Sequence, residues 1–318
     1  MTKEERKDVR KNLGRVHRFV LIYTFIFTLV TFASMIVATV VKMDGNLDIE
    51  LSQLQNLLMQ QSGLHSLVAL AAGVLFILLN RRSRLADDLH TGATQRMSVQ
   101  IFASCFVLLF TFQLLSAGAE PIVRWIAEQF GYGIDSTIDG LDEMKPTLSM
   151  FLYASFLGPV IEEVVFRGVA MKGLRKYGKL FAIVTTAALF AIFHGDLLQG
   201  IFAFFCGLLL GYVAMEYGFG WAVALHVVNN FILADVLTRA FSLLPANVQE
   251  PAQMVLFVVL GGFGGLYVLV KNRRRIAGYI ADNRTEKGIV PVLWTVPSFW
   301  LFLLMELATV SMSFTKMG

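Results

Sequence analysis

The chain is dominated by apolar runs that are too long and too regular for the core of a soluble domain. Nine of them recur along its 318 residues, at 19–41, 63–79, 99–117, 148–171, 180–194, 201–215, 221–237, 255–270 and 292–312. A membrane-crossing helix needs ~20 apolar residues, with a range of about 17–25. Within a bilayer, backbone groups must find their partners inside the segment, so such runs fold as helices. The spacing predicts an all-α fold, a polytopic transmembrane helical bundle of eight to nine spans. The count stays open because the last run contains Pro297 and Glu306. The runs at 180–194 and 201–215 are short for a straight crossing, so they extend past these bounds or end in a polar cavity. With 56% hydrophobic and 16% charged residues, a soluble protein of this length is argued against. The longest polar interval, 118–146, is shorter than the ~50 residues of even a small domain.

Charge orients the runs. Basic residues cluster at the N-terminus (Lys3, Arg6, Lys7, Arg10, Lys11, Arg15, Arg18), at Arg81, Arg82 and Arg84, at Lys172, Arg175, Lys176 and Lys179, and at Lys271 and Arg273 to Arg275. Acidic residues fill the alternate intervals: Asp44, Asp48 and Glu50, then Asp135, Asp139, Asp142 and Glu143. Positive loops stay in the cytoplasm, which predicts a cytoplasmic N-terminus. The basic arm reads as a topology signal, and a nucleic-acid partner is not expected. Run 19–41 exceeds the ~7–15 residues of a signal-peptide core and reads as a retained anchor. The organisation expected is a basic N-terminus at 1–18, N-terminal transmembrane helices at 19–146, a core at 147–238 and C-terminal helices at 239–318. Segments 120–130 and 274–279 are amphipathic and read as interfacial or loop helices. Cys105 and Cys206 lie inside apolar runs and read as buried thiols with no metal spacing. Gly207 and Gly211 have the spacing that lets two helices approach closely.

Charged residues inside a span are costly and need a reason. Glu162, Glu163 and Arg167 sit within run 148–171. Four residues separate Glu163 from Arg167, so they share a helix face and can pair. Glu162 points about 100° away from Glu163, which leaves it free for chemistry. All three could instead form one structural network. His194 ends the fifth run, where a histidine serves as a cap or as a functional group. His226 and Asn230 share a face of the seventh run, as interhelical glue or as a site, while Asn229 falls on a different face.

Taken in order, Glu162-Glu163-x-x-x-Arg167, Phe190-x-x-x-His194 and His226-x-x-x-Asn230 resemble the three motifs of the CPBP intramembrane proteases. These are the CAAX-processing and bacteriocin-processing, or Abi, proteases. Phe204, Gly207 and Gly211 lie between the second and third motifs. The resemblance covers 148–237, less than a third of the chain. It implies an intramembrane endopeptidase of glutamic type acting on a peptide or lipidated protein at the bilayer. It implies Glu162 as general base, His194 as a second group on the water, and His226 and Asn230 as oxyanion donors. Glu163, Arg167 and Phe190 would shape the site. Such hydrolysis needs an activated water and oxyanion donors, and a cavity open to the cytoplasmic side. No cofactor is expected. Zinc on Glu and His remains the rival, although the His-Glu-x-x-His pattern is absent. A membrane scaffold that binds a partner protein, and a proton-coupled transporter, are the other readings. The compact chain is expected in a bacterial plasma membrane. Substrate identity and oligomeric state are not encoded in any residue pattern identified.

Overall fold

A computed structural model describes residues 1–43, 50–134 and 147–317. The acidic residues Asp44, Asp48, Asp135, Asp139, Asp142 and Glu143 lie outside the described residues. Twelve helices run in the order α1 (Lys3–Met43), α2 (Leu51–Gln60), α3 (Ser62–Arg81), α4 (Leu85–Leu89), α5 (Val99–Gln129), α6 (Leu148–Tyr177), α7 (Lys179–Phe193), α8 (Leu197–Tyr217), α9 (Phe219–Ser242), α10 (Ala246–Asp282), α11 (Ile289–Leu293) and α12 (Pro297–Ser311). Strands β1 (Tyr132–Ile134) and β2 (Phe314–Lys316) are the β structure among the described residues. Among the described residues, seven helices are long and apolar enough to cross a membrane, and α7 and α12 are shorter apolar helices. The protein is therefore an all-α, multi-pass membrane bundle.

The four basic clusters meet at one end of this bundle. Asn12 of α1 donates to the Gly173 carbonyl of α6 at 2.8 Å. Lys172 reaches Asp87 of α4 at 2.8 Å. Arg275 of α10 donates to Gln95 at 2.9 Å and to the Tyr217 hydroxyl at 3.3 Å. Buried Glu216 accepts from Lys179 at 2.6 Å and from Tyr279 at 2.9 Å, joining α7, α8 and α10. At the other end, β1 pairs antiparallel with β2, with Gly133 opposite Thr315. That pairing puts the end of α12 on the same face as the end of α5, which an odd number of crossings requires. Nine crossings satisfy it, as do seven if α7 and α12 both stop short, and eight do not.

Local chemistry sets several boundaries. Ser98 caps α5 by accepting from the Ile101 N–H, Thr147 caps α6 from Met150, and Asp196 caps α8 from Gln199. A side-chain oxygen at this position satisfies a helix donor that has no partner within the helix. The amphipathic segments at 120–130 and 274–279 are not separate helices. They continue α5, through Pro121, and α10 without a break. Run 201–215 extends to a full-length α8 of 21 residues, whereas α7 stays at 15, about 22 Å at 1.5 Å per residue. α7 stops short of a ~30 Å apolar layer.

The α7–α8 hairpin is tight because α8 presents glycines. A Cβ on Gly207 would stand 3.0 Å from the Ala187 Cα, and one on Gly211 would stand 3.2 Å from Ile183 Cγ2. The hairpin turns through Gly195, whose φ of +60° suits glycine. There a Cβ would stand 2.9 Å from Thr309 of α12. α6 and α9 are not uniform α-helices. Wider π-turns occupy 153–157 and 164–170 in α6 and 229–236 in α9. Pro159 in α6 has no N–H for the regular ladder, which accounts for the disturbance N-terminal to it. π-turns inside helices are frequent at functional sites.

Candidate active site

The π-turns bracket the charged residues. Glu162 and Glu163 close the short α segment between the two π-turns of α6, and Arg167 lies within the second. Glu163 and Arg167 are both fully buried, with Glu163 Oε1 2.9 Å from Arg167 Nη1. This is an ion pair by distance rather than a hydrogen bond by angle. Arg167 Nη2 donates to the Gly207 carbonyl at 3.4 Å, and the guanidinium lies 4.5 Å over the Phe190 ring. Among the described residues, Glu163 Oε2 and Arg167 Nε have no hydrogen-bond partner.

His226 joins the two carboxylates. Its Nδ1 lies 2.9 Å from Glu163 Oε1 and its Nε2 lies 3.8 Å from Glu162 Oε2. An ionised carboxylate only accepts, so Nδ1 carries the hydrogen on the Glu163 side. The 3.8 Å gap exceeds hydrogen-bond reach, which leaves Nε2 and the Glu162 carboxylate uncommitted to each other. The division suggested by helix angles, with Glu163 paired and Glu162 alone, is therefore incomplete. The two carboxylates point apart on α6 yet meet at opposite edges of one ring from α9.

His194 sits at the end of α7, with Nδ1 2.7 Å from the Phe190 carbonyl. The carbonyl accepts, so Nδ1–H donates and Nε2 presents a lone pair when the ring is neutral. Phe190 stands between the parts of the site. Its ring meets His194 edge-on at 4.7 Å and His226 edge-on at 5.7 Å. Asn230 donates from Nδ2 to the Ala154 carbonyl at 2.8 Å, and its Oδ1 accepts from Asn229 at 2.9 Å. Glu162, His194 and Asn230 are partly exposed, whereas Glu163, Arg167 and His226 are buried. On the basic face, α4 lies across Arg167. Leu89 is 2.9 Å from where a Cβ on Gly168 would stand, and Asp88, Thr91, Met171 and Met215 close around the guanidinium with no room for a water molecule.

Direct contacts thus tie together Glu162, Glu163, Arg167, Phe190, His194 and His226. Asn230 is anchored to the first π-turn of α6. Sequence reasoning missed the Gly207 and Ala154 carbonyls, which carry no side-chain signal. It also missed the link from Asn229 to Asn230. Both asparagines were visible, but regular helix geometry separated them. Among the described residues, no group of three or more His, Cys, Asp or Glu is arranged to hold a metal ion.

The fold and site define a multi-pass membrane protein with an acid–base cluster held between three helices inside the bundle. Residues 144–232 match a family model described as type II CAAX prenyl endopeptidase Rce1-like. The segment that carries the three motifs is thus similar to CAAX-type endopeptidases. A Bacillus subtilis (strain 168) protein described as "Putative membrane peptidase YdiL" is 27% identical over 174 residues, 54% of this chain and 65% of that protein. The chain therefore spans just under two thirds of that relative. No solved structure gives a significant match.

Proposed function

We propose that the chain is an intramembrane endopeptidase that hydrolyses a peptide bond in a membrane-associated peptide or lipidated protein. The observation that carries this reading is the His226 ring, oriented by Glu163 at 2.9 Å and left facing Glu162 across 3.8 Å. In this reading Glu162, at the accessible edge of the cluster, takes the proton from an attacking water. The Nε2 lone pair of His194 helps hold that water. The oxyanion forms against the second N–H of Asn230 and against Nε2–H of His226. Nε2 carries a hydrogen beside Nδ1–H only in the imidazolium form. Glu162 then delivers its proton to the departing amine.

The reaction we propose uses no resident metal. One nitrogen of each histidine is already engaged, His226 by Glu163 and His194 by the Phe190 carbonyl. The basic face is assigned to the cytoplasm on the distribution of Lys and Arg, and the compact chain to a bacterial plasma membrane. Residues 147–238 are taken as the catalytic core, flanked by helices that complete the bundle. The substrate class is that of a CAAX-type or peptide-maturing protease, with self-immunity against a bacteriocin as one setting.

The test is Glu162→Gln in the reconstituted full chain, with cleaved membrane peptides identified by mass spectrometry against wild type. Loss of a general base lowers turnover by ~10²–10⁴, while helical content and detergent stability stay unchanged. Wild-type cleavage by this variant would remove Glu162 from the mechanism. An unchanged cellular phenotype together with a co-purifying partner protein would favour a scaffold.

A further inference from the structure

We propose that Asn229 is a positioning residue that locks the Asn230 amide with a free N–H turned into the site. The inference rests on the endopeptidase reading, in which Asn230 is an oxyanion donor. It starts from one main-chain atom. The Ala154 carbonyl can only accept, so the Asn230 atom 2.8 Å away is Nδ2. That choice turns Asn230 Oδ1 towards Asn229. The Asn229 atom 2.9 Å from it must then donate, and is Nδ2 as well. A single carbonyl thus fixes the orientation of two side-chain amides in series.

The second anchor matters because one hydrogen bond does not fix a plane. Held only at Ala154, the Asn230 amide can swing about the Nδ2···O line, and its second N–H sweeps an arc. Held at Oδ1 as well, the amide plane is set and that N–H has one direction. Oxyanion stabilisation depends on donors already aimed at the developing charge. The helix supplies the means. Neighbouring side chains on a regular α-helix do not face each other, but the π-turn at 229–236 begins at Asn229, where the two amides meet.

The burial pattern points the same way. Asn229 is 5% exposed and its own Oδ1 has no partner among the described residues. A buried acceptor without a partner is unfavourable, so packing alone would favour leucine here. The amide supplies what leucine cannot, a donor to Asn230.

The test uses the full-length protein in lipid nanodiscs, with a farnesylated CAAX-type peptide carrying a fluorophore and quencher across the scissile bond as the probe. Asn229→Leu keeps the γ-branched shape and removes the unpaired acceptor, with helical content and thermal unfolding checked against wild type. Asn229→Asp keeps the shape and removes the donor. Each is expected to lower kcat about tenfold to a hundredfold, with KM within about twofold. In an Asn230→Ala background Asn229→Leu should have no further effect, because Asn229 acts only through Asn230. A second measurement needs no turnover. With ¹⁵N-asparagine labelling, the Asn230 side-chain amide is expected to show slow exchange in wild type and to lose it in Asn229→Leu. An unchanged Asn230 signal, or a loss of activity additive with Asn230→Ala, overturns the inference. Wild-type kcat in Asn229→Leu with inactive Glu162→Gln overturns it while leaving the endopeptidase reading intact. Full activity of Glu162→Gln overturns that reading instead.

Discussion

Removing Arg167 should unfold the protein more readily than any other single change in the cluster, and removing Glu163 with it should reverse most of the damage. Arg167 and Glu163 are 0% exposed and 2.9 Å apart. Taking one partner from a buried ion pair costs about 3–5 kcal/mol, because the other charge is left uncompensated. In Arg167→Met, His226 remains 2.9 Å from Glu163 and offsets part of that charge, which places the effect near the lower bound. The guanidinium also leaves the face of Phe190, a contact of ~2 kcal/mol when desolvated. The methionine thioether against the same ring restores about 0.3–1.5 kcal/mol. The expected loss is about 3.5–4.7 kcal/mol, a large share of a total of ~5–15. In Glu163→Gln/Arg167→Met no buried charge is orphaned, and neutral replacement of both partners is often neutral or stabilising. The double variant should recover to within about 1 kcal/mol of wild type. Equilibrium unfolding in mixed micelles, followed by circular dichroism against the mole fraction of denaturing detergent, measures both. A single variant within about 1 kcal/mol of wild type, or a double variant no better than the single, would refute the claim that charge pairing holds this cluster.

Gly207→Val should lower stability by about 1–3 kcal/mol through overpacking and reduce cleavage as well. A Cβ there would stand 3.1 Å from that of Ala187 and 3.4 Å from Phe190 Cδ1, and Phe190 bears on both histidines; normal thermal unfolding and normal turnover would contradict this. Cysteines at Gly133 and Thr315, which face each other across the β1–β2 pair, should form a disulfide under mild oxidation. An eight-crossing chain would put them on opposite sides of the membrane, and no bond would form. Proteolysis should survive strong chelation with no zinc in the purified protein, and loss of activity restored by zinc would establish a metal enzyme.

Much of the site was legible because its spacings are local. The Glu163–Arg167 pair follows from a four-residue interval, and the close approach at Gly207 follows from its small-residue spacing. Eight of the nine apolar runs lie on single helices, and the ninth is broken at 294–296 before α12. What was not legible depends on other helices. Nothing near His226 says that Glu163 will hold its Nδ1, and nothing near Arg167 says that it will lie over Phe190. The π-turns displaced Asn229 from the face that regular geometry assigns it. Pro159 marks one disturbance of α6, but the turns at 164–170 and 229–236 contain no proline. The amphipathic segment from 120, read as an interfacial or loop helix, instead continues α5 through Pro121.

The β1–β2 pairing bears on how the chain is assembled. Its two strands are separated by every helix from α6 to α12, so the ladder closes late, as contacts of long sequence separation do. It closes only if an even number of the intervening helices has crossed. One missed or inverted crossing leaves β2 on the wrong side and β1 with an unpaired edge, the kind of surface that invites other chains. The small sheet thus reports parity. It forms in a correctly threaded bundle and marks a misthreaded one, at the membrane face opposite the basic clusters.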